Sequence, residues 1–430
     1  VSAKYTLASS SSTYDRLQNV DSCLIQLSDG TDAFLYFDPS SSSYILAYSS
    51  DHSTVNTIAT LDTGTGGASF SPGGEPLCFA LVRDASDNLF VVGRHYSPSG
   101  YLQVQAFKKG AGYSWAAQAA LSGNVGASTP LFGFAAAWCN TGGGTNSAGH
   151  LMVLVAPGGG TSVNLYAICD AGAALAGSGT IVTAFGQGGF LGSGGNSSAS
   201  NIDMASDGFG VPSGIAAVPN GNSALTVGSW SVTSAGVLGT NAAISATVTT
   251  AGQSSNTKVR VLRVSSNLFA VVAPASGSSD LAAMRFSATA ALDASPTPTG
   301  QTVALGSPGN YLEWDAFVDP ATPNRLWIIA QKAQSGGVAQ VVRLGCTVSS
   351  SVAWDGAVTN DDSLTATGFL SGQGNLRVVT QPGMVVSWQT VLETSSSPVT
   401  YGLAGDYTPF AAAPSAPSLQ SPSNSSYLDA

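Results

Sequence analysis

Charge is scarce in this chain. Aspartate, glutamate, lysine and arginine make up 9% of its 430 residues, against roughly 25% in an average soluble domain. The deficit is deepest on the basic side, where 14 lysines and arginines face 24 acidic residues for a net charge of −10. Such a chain lacks the electrostatic footprint that a phosphate backbone requires, so nucleic acid is excluded as an expected partner. Three histidines in the whole chain leave little of the usual neutral-pH base and metal ligand. No apolar run approaches the roughly 18 residues of a spanning helix, so no membrane span is expected. Helix-period amphipathic segments of useful length are missing as well, which excludes helical solenoids. The five cysteines, Cys23, Cys78, Cys139, Cys169 and Cys346, lie far apart without a C-x-x-C pair. Zinc needs close ligand pairs, so these read as buried thiols, and neither a metal nor a cofactor is expected. The first twenty residues contain no basic region followed by an apolar one, and residue 1 is valine. The start therefore reads as processed or trimmed.

What the chain does have is repetition. The segment CLIQLSDGTDAFLYFDPSSSSYILAYSS reads as strand, polar turn, strand, polar loop, strand, and six further segments follow the same plan. The second-strand centres fall at Leu35, Phe90, Val153, Thr226, Phe269, Ile328 and Val385, a mean spacing of about 58 residues. Runs such as LFAVVA, LWIIA and LMVLVA are apolar throughout, as in sheets covered on both faces. Stacked small antiparallel sheets arranged radially satisfy all of this, and the expected fold is an all-β, seven-bladed β-propeller over residues 21–408. Fourth strands are expected at NTIATLDTG, WAAQAALSGN and GQTVALGSPG. The last copy lacks one, and Tyr5-Thr6-Leu7-Ala8-Ser9 resembles the missing piece, so the N-terminal segment 1–20 is expected to close the last blade. The glycine-rich stretch 186–213, with Phe190 in it, reads as an insertion or long loop between blades and as the preferred contact loop.

Candidate chemistry is sparse. The carboxylates Asp29, Asp32, Asp84, Asp87, Asp319, Asp361 and Asp362 read as turn residues. Glu313 and Asp315 are the best acid pair, because residues two apart on a strand share a face. On an inner strand they would line a central channel, where they would bind a cation, serve glycoside hydrolysis or simply stay solvated. His52, His95 and His150 read as solvated loop residues. No G-x-S-x-G elbow, phosphate-cradling loop, sialidase box, WD dipeptide repeat or kelch signature occurs, so no enzyme is expected. Of the seven tryptophans, most read as core between blades, whereas Trp115 and Trp354 sit in Gly, Ser and Asp-rich segments. Those two, with Phe190, are the candidate ligand-binding aromatics, able to stack on the apolar face of a sugar ring.

From Pro409 the composition changes to a Pro/Ser/Ala linker, and APSLQSPSNSSYLDA resembles the opening strand and turn of a fibronectin type III or immunoglobulin-like module. Residues 409–430 are thus expected to be a linker and the start of a β-sandwich. A seven-copy, low-charge propeller joined by proline to such a module resembles minor tail proteins of long-tailed actinobacterial phages. The resemblance implies a structural protein of the virion tail tip that helps attach to the host surface through propeller loops. It implies tail-tip or baseplate partners, host-envelope glycans, and a homotrimeric setting. Two alternatives stay open: a secreted bacterial surface adhesin or lectin, and a polysaccharide hydrolase acting through Glu313 and Asp315.

Overall fold

The computed structural model describes residues 2–10, 24–38, 43–50, 54–61, 79–94, 101–124, 131–140, 148–157, 164–178, 202–208, 212–220, 224–237, 246–249, 259–274, 280–287, 303–304, 311–319, 322–333, 338–355, 359–367, 369–381, 384–394 and 399–408. Over these residues the chain is all-β apart from one short helix. β1 (Ser2–Ser10) opens it. β2 (Leu24–Gln26), β3 (Asp32–Asp38), β4 (Ser43–Ser49) and β5 (Asn56–Thr60) form the first sheet. The second contains β6 (Ala80–Arg83), β7 (Leu89–Arg94), β8 (Tyr101–Lys109), β9 (Trp115–Ala117) and β10 (Leu121–Asn124), the last two both pairing with β8. The third has β11 (Leu131–Cys139), β12 (His150–Pro157) and β13 (Asn164–Asp170), followed by the helix α1 (Ala171–Ala176). The fourth is β14 (Asp203–Ser206), β15 (Ser213–Asn220), β16 (Ala224–Ser231) and β17 (Ala246–Thr249). The fifth is β18 (Arg260–Ser265), β19 (Leu268–Pro274), β20 (Asp280–Phe286) and β21 (Val303–Ala304). The sixth comprises β22 (Tyr311–Val318), β23 (Arg325–Ala333), β24 (Val338–Val348), β25 (Val352–Trp354) and β26 (Thr359–Thr367). The seventh joins β27 (Phe369–Gln381), β28 (Met384–Thr394) and β29 (Val399–Thr408) to β1, which lies antiparallel on β29 with Tyr5 opposite Leu403.

Every pairing is antiparallel, and most join strands consecutive in the chain, as tight polar turns between apolar runs dictate; β1 on β29, β10 on β8 and β26 on β24 are the exceptions. The first strands touch one another in the order β2, β6, β11, β14, β18, β22 and β27, and β27 touches β2 again. The contacts therefore run in a cycle. Apolar clusters fill the spaces between successive sheets. One joins Leu35 and Leu46 of the first sheet to Phe79 and Leu89 of the second. Others join Met152 and Leu154 of the third to Met204 and Trp230 of the fourth, and Val272 and Leu281 of the fifth to Trp314 and Ile328 of the sixth. The second sheet is covered by clusters on both sides, and its second strand, β7, is buried along its length.

Several sequence expectations need correction. Thr226 lies in β16, the third strand of its sheet, and the second strand is β15. The first strand, β14, is only the four residues Asp203–Ser206 inside the stretch read as an insertion. Four residues between glycine-rich flanks carry no readable apolar run, so the fourth repeat was displaced by one strand. Among the described residues the third sheet has three strands, and α1 follows β13 directly. Asp170 caps its start by accepting from the Gly172 N–H at 2.8 Å, and Gly177 ends it in the left-handed region. Ala171 and Ala174 of this helix pack into the cluster between the second and third sheets. A helix this short leaves no periodic signature in sequence. Asp361 and Asp362 fall within β26 and not on a turn, whereas Asp32 begins β3 and is buried. Residues 409–430 and the segment around Phe190 lie outside the described residues.

Candidate functional site

Asp315, on β22, is 0% exposed, and the Arg260 Nε of β18 lies 2.7 Å from its Oδ1. The same guanidinium reaches Asp203 Oδ2 on β14 at 3.0 Å, and that oxygen also accepts the Val261 N–H at 2.8 Å. One arginine thus ties the first strands of three successive sheets together. Asp315 is a buried counter-ion and not the solvated channel carboxylate expected from the sequence. The side chain of Glu313 lies outside the described residues. Among the described residues no group of three or more His, Cys, Asp or Glu is placed to hold a metal, and no helix is long and apolar enough to cross a membrane.

Other arginines serve the same purpose at the turn rim, where first and second strands meet. Arg83 Nε donates to the Gln26 carbonyl of the first sheet at 2.6 Å, and Asp87 accepts from the Ser28 N–H and hydroxyl. Three sheets on, Arg263 Nε donates to Asp207 at 3.0 Å, and the Asn267 N–H bonds to the same carboxylate. Asn267 and Asn324, immediately before second strands, and Asp87, two residues before one, all have positive φ. Asx residues tolerate that region and bond locally, which is why they recur at these hairpins.

His150 is the first residue of β12 and is buried, in contrast to the solvated loop position expected. Burial lowers its pKa, with Asp170 opposing the shift. The neutral imidazole is favoured, so charging it as pH falls through the histidine range works against the seam it occupies beside Gly236. His52 and His95 lie outside the described residues. Cys139 and Cys346 are buried thiols whose pKa burial pushes up to about 12, so they are inert.

One region at the turn rim presents aromatic surface. The hairpin of residues 109–115 between β8 and β9 is pinned at both ends: the Lys109 N–H donates to Asn88 Oδ1 at 2.8 Å, and Trp115 Nε1 donates to the Asp87 carbonyl at 3.0 Å. Both anchors lie on the turn between β6 and β7, which itself grips the first sheet through Ser28. The hairpin therefore leans over the seam between the first two sheets. Tyr113 stacks on Tyr48 of β4 with centroids 5.1 Å apart and planes 20° from parallel, and Trp115 tilts against Tyr48 at 5.4 Å. The Lys109 ammonium sits 3.9 Å from the centre of the Trp115 ring and 5.1 Å from that of Tyr113. Thr31 Oγ1 donates to the Tyr113 hydroxyl at 3.2 Å, and the Thr31 N–H donates to Asp29 Oδ1 at 2.9 Å. Burial alone would raise the Asp29 pKa. Hydrogen bonds from Thr31 and Tyr113, with the charge of Lys109, bring it below the ordinary value.

Trp115, the aromatic singled out in the sequence, is here a half-buried brace, locked through its indole N–H and covered by Lys109. The ring that reaches solvent is Tyr113, 43% exposed. Its neighbours in sequence are glycine, alanine and serine, so only the packing of Tyr48 from another sheet marks it as part of a cluster. Trp354 is partly buried against the core between the fifth and sixth sheets. Next to it, Asp355 holds Arg325 through two hydrogen bonds, one of 2.7 Å, and that guanidinium lies 4.3 Å from the Trp327 ring centre. This second cluster is closed by its own ion pair.

No protein-family model matches the chain, and no curated protein matches it. Solved structures do show a distant likeness. A fucose-recognising six-bladed propeller lectin from Aleuria aurantia is 13% identical, with a TM-score of 0.38, over 76% of this chain and 94% of that one. The polysaccharide lyase Uly1 is 10% identical with a TM-score of 0.44, over 90% and 89%. The NanB sialidase of Streptococcus pneumoniae is 10% identical with a TM-score of 0.40, over 90% and 68%. At these values the likeness assigns neither fold nor function to this chain.

Proposed function

We propose that the protein is a seven-bladed β-propeller that binds carbohydrate on its turn rim and is not a catalyst. The cyclic contact of seven first strands, β27 back to β2, supports the propeller. A fold of this kind hosts many activities, so function is argued from the site. The observation that carries the reading is the exposed Tyr113 ring, backed by Tyr48 and flanked by an ammonium and a carboxylate. Sugars offer an apolar ring face and a belt of hydroxyls, which an aromatic surface edged with charged hydrogen-bonding groups matches. The hydrolase reading loses its leading carboxylate, since Asp315 is enclosed with Arg260. The test is binding of the full chain to an array of bacterial and host glycans. The intact protein is expected to retain a defined subset, and Tyr113→Ala to lose it by about tenfold or more in affinity with an unchanged thermal melt. Retention equal to that of Tyr113→Ala on every glycan would overturn the reading.

In this proposal the N-terminal strand closes the ring by completing the last blade with β29. Pairing β1 with β29 ties down a strand that would otherwise fray. Deleting residues 1–10 is expected to lower the melting temperature of the whole molecule in one cooperative transition. A melt identical to that of the intact chain would remove the closure. The resemblance to phage minor tail proteins gives the binding rim a setting at a virion tail tip. Antibody-gold label confined to one end of phage tails is the result that supports this setting, and label spread over bacterial surfaces supports the adhesin.

A further inference from the structure

The aromatic shelf carries more than a ring surface, and its charges restrict what can lie on it. Asp29 is exposed on the turn between β2 and β3, with Oδ1 engaged by the Thr31 N–H at 2.9 Å. Lys109 holds its ammonium over the two rings. Lys108 and Lys109 are two of only five lysines in the chain, yet the junction is not basic. Asp29, Asp84 and Asp87 are matched there by Lys108, Lys109 and Arg83, and Arg83 lies 3.2 Å from Asp87 in an ion pair. An anionic sugar would meet the Asp29 carboxylate, and a protonated amino sugar would meet the Lys109 ammonium. A ring without charge meets neither obstacle.

Resting on the carbohydrate reading above, we propose that the shelf selects a neutral pyranose. Its apolar face lies on Tyr113, one hydroxyl donates to the Asp29 carboxylate, and the adjacent hydroxyl accepts from the Lys109 ammonium. Charge-assisted hydrogen bonds of this kind are about twice as strong as neutral ones, which compensates for a shallow site. Asp29 remains ionised in mildly acid solution because its pKa lies below the ordinary value, so binding is flat from about pH 8 down to about pH 5.

The experiment titrates the full chain with methyl glucoside, methyl galactoside and methyl mannoside, and with glucuronate and glucosamine, by saturation-transfer NMR and intrinsic fluorescence. The proposal expects at least one neutral glycoside to bind and glucuronate and glucosamine to bind about tenfold more weakly or not at all. It further expects Asp29→Asn and Tyr113→Ala each to weaken the neutral ligand by about fivefold or more. Both positions are exposed, so the variants keep the parent's melt. Preferred binding of glucuronate, tightened by Asp29→Asn, would overturn the neutral selection while leaving the carbohydrate function standing. Failure of every neutral and charged sugar here, together with no retention on the glycan array, would remove both.

Discussion

Replacing Gly214 by alanine is expected to destabilise the protein by about 3 kcal/mol or more, at the upper end of what overpacking usually costs. Gly214 of β15 lies directly opposite Trp230 of β16, whose indole covers it. A Cβ at this position would stand 2.5 Å from Trp230 Cζ2 and closer still to the Ala205 carbonyl oxygen of β14. Trp230 cannot step aside, because it is 1% exposed and packed with Met152 and Leu154 of the neighbouring sheet. The same device recurs where Trp327 lies over Gly345, and where Trp138 lies over Gly149. The control is Gly112→Ala at the tip of the aromatic hairpin, where φ is +61° and nothing lies within 4 Å of the new carbon. Only left-handed backbone strain is at stake there, about 1–2 kcal/mol. Urea unfolding followed by tryptophan fluorescence measures both, with unchanged slopes required for the comparison. Equal midpoints for the two variants would show that the tryptophan seat is not rigid.

Arg260→Met is the second large effect, expected to cost about 3–5 kcal/mol, because removing one partner strands buried charge. Asp315 would keep its carboxylate in a fully enclosed site, and Asp203, 12% exposed, would lose its side-chain partner as well. The loss should appear as destabilisation of the fourth to sixth sheets together, since that guanidinium touches all three. Hydrogen exchange resolved by segment is the measurement. The double variant Arg260→Met/Asp315→Asn is expected to regain part of the loss, because the charge is removed with its partner. A double variant no better than the single one would mean that the arginine acts by packing its stem and not by neutralising Asp315.

The two effects bear on function through the rim. Turns can present binding groups only if the sheets beneath them hold their positions. Here those positions are set by apolar packing between sheets, and by a few arginines that clasp one sheet to the next. Nine arginines are a small supply, and Arg83, Arg260, Arg263 and Arg325 are each engaged with a carboxylate or carbonyl. The aromatic shelf is left with a lysine as its cation.

The strand plan was legible because apolar runs cut by Asn, Gly and Asp turns depend on neighbours in sequence. Leu35, Phe90, Val153, Phe269, Ile328 and Val385 all fall in second strands for that reason. It failed where the local signal is short. β14 has four residues, and α1 has six with no apolar periodicity to announce it. His150 reads as polar loop, yet it begins a buried strand, because a single polar residue at a strand start does not alter the local pattern.

The candidate site was legible only in part. Trp115 marked the right hairpin, but its ring is consumed by Lys109, Tyr48 and the Asp87 carbonyl, while the surface is offered by Tyr113. Nothing within residues 109–115 indicates that Tyr48, more than sixty positions earlier, stands beneath them. The sequence by itself determined an all-β chain, its sevenfold strand pattern, the burial of Cys139 and Cys346 and its poverty of basic charge, since these follow from composition and from period-2 geometry. The tertiary structure alone decided that Asp315 is an ion-pair partner and that Tyr113, Asp29 and Lys109 share one shelf. Those facts depend on which sheets become neighbours, and that is a property of long-range packing that no local pattern encodes.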